Sequence, residues 1–184
     1  NKFIEVNIQN LAAVPAIIYG MLTLGILSAL GLKNKNVVIG GALALALLIL
    51  PVIILTTRES LRAVPQEIRQ GSLALGATPM QTIARQTLPS AVPGIATGSI
   101  LAISRAMGEA APLLLLGALV FITYDPNGLT AGFTTLPIQI FSWTSAPQDE
   151  FKMLAAAAII LLLAILLSLN AIAIVIRNRF SRSW

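Results

Sequence analysis

Residues 37–56 read VVIGGALALALLILPVIILT, a run of twenty residues without a charged side chain. A helix needs about 20 mostly apolar residues to cross a bilayer. Three other stretches are also long and mostly apolar, at residues 14–32, 93–120 and 153–176. The sequence therefore predicts an all-α fold, a polytopic bundle of transmembrane helices with four spans.

The composition of the whole chain also indicates a membrane protein. Only 10% of the 184 residues are charged and the mean hydropathy is +0.87, whereas a soluble domain carries about 25% charged residues. The chain has no Cys and no His, which excludes disulfides, thiolate nucleophiles, imidazole bases and Cys/His metal sites. The net charge is +5, but the cations form no basic stripe, which argues against a nucleic-acid partner.

The cations of the loops predict an orientation. Eight of them precede span one, separate spans two and three, or follow span four, and three lie in the other two loops. Because cytoplasmic loops carry the excess of Lys and Arg, we expect both ends of the chain and residues 58–89 in the cytoplasm, and residues 121–151 outside. The chain begins with Asn rather than Met, and we expect further helices upstream. The eight cations are Lys2, Arg58, Arg62, Arg69, Arg85, Arg177, Arg179 and Arg182, and the three are Lys33, Lys35 and Lys152.

The connection between spans two and three has the pattern of two short helices. Gly76 can adopt the left-handed conformation that ends the first helix. Thr78 is then an N-cap, Pro79 occupies the first helical position, and Gln81 completes a capping box. We expect Pro89 to stop the second helix just before the membrane. Such a pair of helices is suited to docking onto a partner, although a solvated connector would have the same length.

The third span contains two charged residues, Arg105 and Glu109. An ionised side chain in the membrane costs at least about 2.5–3.5 kcal/mol, so both must face protein or water. One interpretation is a structural ion pair. The other is a wet pathway in which Arg105, with the neighbouring Ser104, meets an oxyanion and Glu109 prevents the anion from binding too tightly. Gly108 and Pro112 flank Glu109 and are predicted to form a gating hinge.

The connection resembles the cytoplasmic motif of ABC importer permeases, E-A-A, three residues, Gly, nine residues and I-x-L-P. Gly76, Leu88 and Pro89 match it, whereas residues 70–72 and Gln86 depart from it. The resemblance implies a coupling helix, with residues 72–82 contacting an ATP-hydrolysing subunit. The coupling residues that it implies are Ser72, Leu73, Gly76, Ala77, Thr78, Pro79, Leu88 and Pro89.

Two further stretches are similar to permeases of phosphate ABC importers, of the PstA type. Residues 10–20, NLAAVPAIIYG, resemble the family segment NLAGVPSIVYG, with Ala13 and Ala16 in place of Gly and Ser. Residues 104–114, SRAMGEAAPLL, resemble the family segment A-R-A-x-G-E-T-A-P-L-L. The resemblance covers most of the chain and implies that residues 1–184 form one ABC importer transmembrane domain that carries phosphate.

The same resemblance implies the partners of the chain. They are a homologous second permease subunit, a dimer of ATP-binding subunits, an external phosphate-binding protein and the lipid of a bacterial inner membrane. The chain contains no G-x-x-x-x-G-K-[ST] phosphate loop, so we expect no cofactor and no enzymatic activity here, with ATP and Mg²⁺ bound by the partner ATPase. Two alternatives remain open, a permease for another oxyanion or small solute and a non-transporting scaffold or sensor subunit.

Overall fold

The computed structural model describes residues 2–32, 34–118, 122–125 and 127–180, and these residues form helices and no strands. The predicted all-α bundle is therefore confirmed. Lys33, residue 121 of the outer loop, Arg182 and Val120, where the third span was predicted to end, lie outside the described residues. The helices are α1 (Lys2–Ala12), α2 (Ala16–Ala29), α3 (Val38–Arg62), α4 (Gln66–Ala74), α5 (Pro79–Thr82), α6 (Leu88–Met107), α7 (Ala111–Leu115), α8 (Leu136–Ser145) and α9 (Asp149–Phe180), and a π-helical turn (Ile83–Thr87) joins α5 to α6.

Three helices are long and apolar enough to cross a membrane. They are α3, the continuous helix from Pro79 to Met107, and α9. Both α3 and α9 extend beyond their predicted spans into polar sequence, α3 as far as Arg62. Helical backbone hydrogen bonds do not require apolar side chains, so hydropathy marks the membrane part of a helix and not its ends.

The first predicted span is built from two helices. The 14-residue α2 is shorter than the ~20 residues that a span needs, and it reaches that length only together with α1. The two helices meet at a bend of 98°. Pro15, which precedes α2, lacks an N–H group and disfavours helical conformation in Val14, so the chain turns there.

The third span ends earlier than predicted. Helix α6 stops at Met107, and α7 is a separate short helix. Pro112, in the first turn of α7, has no N–H to donate to the carbonyl of Gly108, and therefore the hydrogen-bond ladder of α6 cannot continue through it.

The expectation that Pro89 stops the preceding helix was wrong. The helix runs through Pro89, which lies in the first turn of α6, directly after the π-helical turn. A proline ring normally clashes with the carbonyl four residues earlier, here that of Arg85. A π turn contains an extra residue and shifts that carbonyl, which lets the helix pass from the connection into the membrane.

Side chains of α2, α3, α7 and α8 and of the segments after α7 and before α8 form the hydrophobic core. Its buried members are Leu27, Ala44, Leu113, Leu116, Ala118, Phe133 and Ile138. The segment before α8 also closes the start of α3, since the N–H groups of Val38 and Ile39 donate to the carbonyls of Ala131 and Leu129, at 3.0 and 2.9 Å. This core lies at the end of the bundle that is opposite the connection between α3 and α6.

Helix α6 packs between α3 and α9. A Cβ atom on Gly98 would lie 2.6 Å from Oγ1 of Thr56, and one on Gly94 would lie 2.6 Å from Oγ of Ser60, so only glycine permits this approach of α3. Ile176 of α9 shares a cavity with the start of α6. The end of α3, the start of α6 and the end of α9 therefore lie at the same end of the bundle.

Candidate functional site

Arg105 and Glu109 lie where α6 ends. Arg105 is in the last turn of α6, and Gly108 caps the helix with its N–H donating to the carbonyl of Arg105 at 3.1 Å. Nε of Arg105 lies 3.8 Å from Oε1 of Glu109, and their side chains are 57% and 25% exposed. That distance is too long for a hydrogen bond. The two residues form a loose ion pair, and among the described residues the guanidinium has no hydrogen bond that would keep it from meeting a further group.

The other residues predicted for the pathway and the hinge differ in their position and burial. Ser104 is buried, with 5% of its surface exposed, so it is not on the open side of α6 where Arg105 lies. Gly108 follows the last residue of α6, and Pro112 is buried in the first turn of α7. The break between α6 and α7 thus falls at the two residues predicted to form a hinge, and their role in gating stays a prediction.

The two segments that resemble phosphate permeases meet in the structure. A Cβ atom on Gly20 of α2 would lie 2.7 Å from the carbonyl oxygen of Pro112 in α7. Tyr19, buried beside it, donates from its hydroxyl to the carbonyl of Leu11 at 2.6 Å across the bend between α1 and α2. The first segment, in α2, is therefore packed against the second segment, in α7.

The connection at the other end of the bundle has the predicted caps. Gly76 has a φ of +85°, the left-handed conformation that ends α4. The Gln81 N–H donates to Oγ1 of Thr78 at 3.3 Å, and the Thr78 N–H donates to Oε1 of Gln81 at 2.9 Å. With Pro79 in the first turn of α5, the capping box is complete, and these residues are confirmed as the turn between two helices.

Two hydrogen bonds hold α4 in place. The hydroxyls of Ser72 in α4 and Thr82 in α5 lie 3.0 Å apart. A guanidinium nitrogen of Arg69 donates to the carbonyl of Leu61, near the end of α3, at 2.6 Å. The connection is therefore bound to α3 through Arg69, and its two short helices are bound to each other through Ser72 and Thr82.

The most exposed apolar side chains of the connection lie within residues 72–82, the predicted coupling helix, but they were not named among its coupling residues. Leu75 is 90% exposed and Met80 is 73% exposed, on either side of the turn at Gly76. Leu73 and Leu88, which were predicted, are about half exposed. Water does not favour such side chains, and their clustering at a turn is typical of a docking surface. The signal was present in the sequence as apolar residues directly beside a helix-ending Gly and a helix-starting Pro.

Metal chemistry finds no support in the part of the chain that the structure describes. No group of three or more Asp, Glu, His or Cys side chains is placed there to hold a metal ion. Within α6 and the connection, the described charged side chains fall into two groups, the Arg105–Glu109 pair at one end of α6 and the charged side chains of the connection at the other.

Comparisons with known proteins show the family to which the chain belongs. A family model described as "Binding-protein-dependent transport system inner membrane component" matches residues 1–182. The chain is 38% identical over 155 residues to the probable ABC transporter permease protein YqgI of Bacillus subtilis, which covers 82% of this chain and 47% of that protein. No solved structure gives a significant match.

Two other relatives are named as phosphate transport system permease proteins. PstA of Yersinia pestis is 39% identical over 74% of this chain and 45% of its own length. PstA 1 of Mycobacterium tuberculosis is 34% identical over 91% of this chain and 54% of its own length. The chain therefore spans about half the length of the curated relatives it matches.

Proposed function

The chain belongs to the family of binding-protein-dependent transport system inner membrane components, and from this premise we propose that it is a permease subunit of an ATP-driven phosphate importer. It is a multi-pass protein of the inner membrane, as the family and its apolar helices indicate. The phosphate substrate is supported by the relatives named as phosphate permeases. The observation that carries the proposal is the exposed Arg105 at the end of a membrane helix.

Phosphate would meet Arg105 on the open side of α6. A guanidinium offers paired donors to a phosphate oxyanion, and these charge-assisted hydrogen bonds are among the strongest in proteins. Glu109 lies 3.8 Å away and repels the same anion, which keeps the site weak enough to release its cargo. Ser104 belongs to this pathway in the proposal if a rotation of the end of α6 exposes its hydroxyl, and Gly108 and Pro112 are the hinge for such a motion.

The other half of the pathway would come from a homologous second permease subunit. Arg105 is 57% exposed in a helix that crosses the membrane, where a charge requires protein or water around it. A partner permease facing this side of α6 would supply both, by enclosing a wet channel. An external phosphate-binding protein would deliver phosphate at the end of the bundle opposite the connection.

The connection would couple transport to ATP hydrolysis on a dimer of separate ATP-binding subunits. Its exposed Leu75 and Met80 would insert into the ATPase surface beside the predicted coupling residues Ser72, Leu73, Gly76, Ala77, Thr78, Pro79, Leu88 and Pro89. ATP and Mg²⁺ stay on the partner in this proposal, since the chain has no phosphate loop of its own. The continuous helix from Pro79 to Met107 would carry the motion to Arg105.

Substrate competition in the reconstituted full complex tests the function. Vesicles carrying the complete importer should take up labelled phosphate with ATP, and an excess of sulfate should not compete. The double variant Arg105→Leu with Glu109→Leu should assemble fully and lose uptake. Uptake that sulfate or another solute blocks equally would favour a permease for another oxyanion or small solute. Full activity of the double variant would favour a scaffold or sensor subunit in which the pair is structural.

A further inference from the structure

A second charged feature lies at the opposite end of α6 from the Arg105–Glu109 pair. A cavity of about 460 Å³ opens between the start of α6 and the end of α9. Arg85, Gln86 and Ser90 give it a polar wall, and Val92, Ala96 and Ile176 give it an apolar wall. The proposed phosphate pathway uses none of these residues.

The lining changes from polar to apolar along the helix. The polar residues precede the apolar ones in sequence, and Ser90 and Ala96 are separated by about 9 Å of helix rise. Because the connection lies at the start of α6, the polar wall is at the surface end of the bundle and the apolar wall is toward its middle. This order matches a phospholipid, whose charged headgroup lies at the surface and whose acyl chains enter the membrane.

The positive charge of the cavity favours an anionic headgroup. Among the described residues no carboxylate forms an ion pair with Arg85, and Glu67, which lines the neighbouring cavity with Arg85, is also outside ion-pair distance. Arg177 and Arg179 follow Ile176 in the last turn of α9, so this end of the bundle carries two further cations. A positive, partly apolar pocket between membrane helices is the type of site that binds anionic lipid headgroups.

The cavity faces away from the proposed pathway. Ala96 and Arg105 are nine residues apart in one α-helix, which at about 100° per residue places them on opposite sides. The neighbour on the cavity side is α9, of whose most apolar stretch only 6% is buried within the described chain. A lipid can therefore reach the cavity from the bilayer along α9 without entering the pathway.

We propose that Arg85, Gln86 and Ser90, together with the apolar wall of Val92, Ala96 and Ile176, form a binding site for an anionic phospholipid. The guanidinium of Arg85 binds the headgroup phosphate through charge-assisted hydrogen bonds, and one acyl chain lies along the apolar wall. The bound lipid fills the space beside the π-helical turn and steadies the start of α6. This site is independent of the substrate that the importer carries.

Lipid binding to the complete purified importer tests the proposal. Native mass spectrometry would count bound phosphatidylglycerol and phosphatidylcholine at increasing lipid concentration. Wild type should bind phosphatidylglycerol more tightly than phosphatidylcholine, and Arg85→Gln should weaken phosphatidylglycerol binding about tenfold or more, as the loss of a charged hydrogen bond predicts. The matched control Arg62→Gln removes a cation outside this cavity, one that lies 3.8 Å from Glu59, and should leave the affinity unchanged.

A second variant separates the two walls of the site. Ala96→Trp would fill the apolar wall with Arg85 intact and should also lower the affinity for phosphatidylglycerol. Equal affinities for the two lipids, or an unchanged affinity in Arg85→Gln, would overturn the proposal. So would displacement of the lipid by millimolar inorganic phosphate, which would assign the cavity to a free anion. An electron-microscopy map of the full complex with another protein segment in the cavity would overturn it as well.

Discussion

In the proposed mechanism Arg105 attracts phosphate and Glu109 repels it. Single substitutions separate these two effects. Glu109 lies 3.8 Å from the guanidinium and competes with phosphate for it. Glu109→Gln should therefore lower the KM for phosphate, and the maximal uptake rate should also fall because release becomes slower. The measurement is the phosphate dependence of uptake in vesicles. An unchanged KM would show that Glu109 does not oppose the anion.

Gly98, at the contact of α3 and α6, should tolerate no side chain. In Gly98→Val the first added atom alone would lie 2.6 Å from Oγ1 of Thr56, and overpacking of this kind costs typically about 1–3 kcal/mol. We expect a clearly lower melting temperature of the purified complex. Gly25→Ala is the matched control, because nothing lies within 4 Å of a Cβ atom there and Ala favours the helix. Equal losses in both variants would contradict the close packing of α3 on α6.

At the scale of elements, the cap of α5 determines how well the coupling helix is held. Thr78→Ala removes the hydroxyl that accepts from the Gln81 N–H, and losing an N-cap costs typically about 1 kcal/mol. We expect less phosphate transported per ATP hydrolysed, with Thr78→Ser close to wild type. Thr144→Ala, which removes a hydroxyl that donates within α8, serves as the control. Normal coupling in Thr78→Ala would mean that the cap does not order the docking surface.

The sequence predicted these elements to different extents, for physical reasons. Hydropathy located α3 and α9, and local turn chemistry located Gly76 and the capping box, because those signals act within a few residues. The path of α6 was not predictable in the same way. Pro89 lies inside a helix since the π-helical turn before it removes the clash, and α6 ends at Met107 since Pro112 breaks the ladder and α7 packs on α2. These outcomes depend on packing between distant segments.

The candidate site was predictable as residues and not as an arrangement. Charge within an apolar span was sufficient to select Arg105 and Glu109. Their separation, the burial of Ser104 and the contact of Gly20 with Pro112 follow from how α2, α6 and α7 pack. Leu75 and Met80 lay within the predicted coupling helix but were not singled out, because an apolar residue in a connection is ordinary until its exposure is known.

At the scale of the whole molecule, the absence of cysteine in the chain makes its orientation directly measurable. Single cysteines at Leu75 and Met80 should react with a membrane-impermeant maleimide only from the cytoplasm. A cysteine at Leu129, which is 63% exposed between α7 and α8, should react only from outside. The reverse pattern would invert the proposed topology and place the docking surface away from ATP.

In the proposed mechanism, the exposed Arg105 binds phosphate on its way through the membrane. The most direct measurement is ATP-driven phosphate uptake in vesicles that carry the full complex, comparing wild type with Arg105→Gln at equal assembly and with ATPase activity recorded in parallel. We predict a loss of uptake of about tenfold or more, the effect of a charged hydrogen bond, while the ATPase still docks and hydrolyses ATP. Undiminished uptake in Arg105→Gln would contradict the account and make the Arg105–Glu109 pair a structural contact.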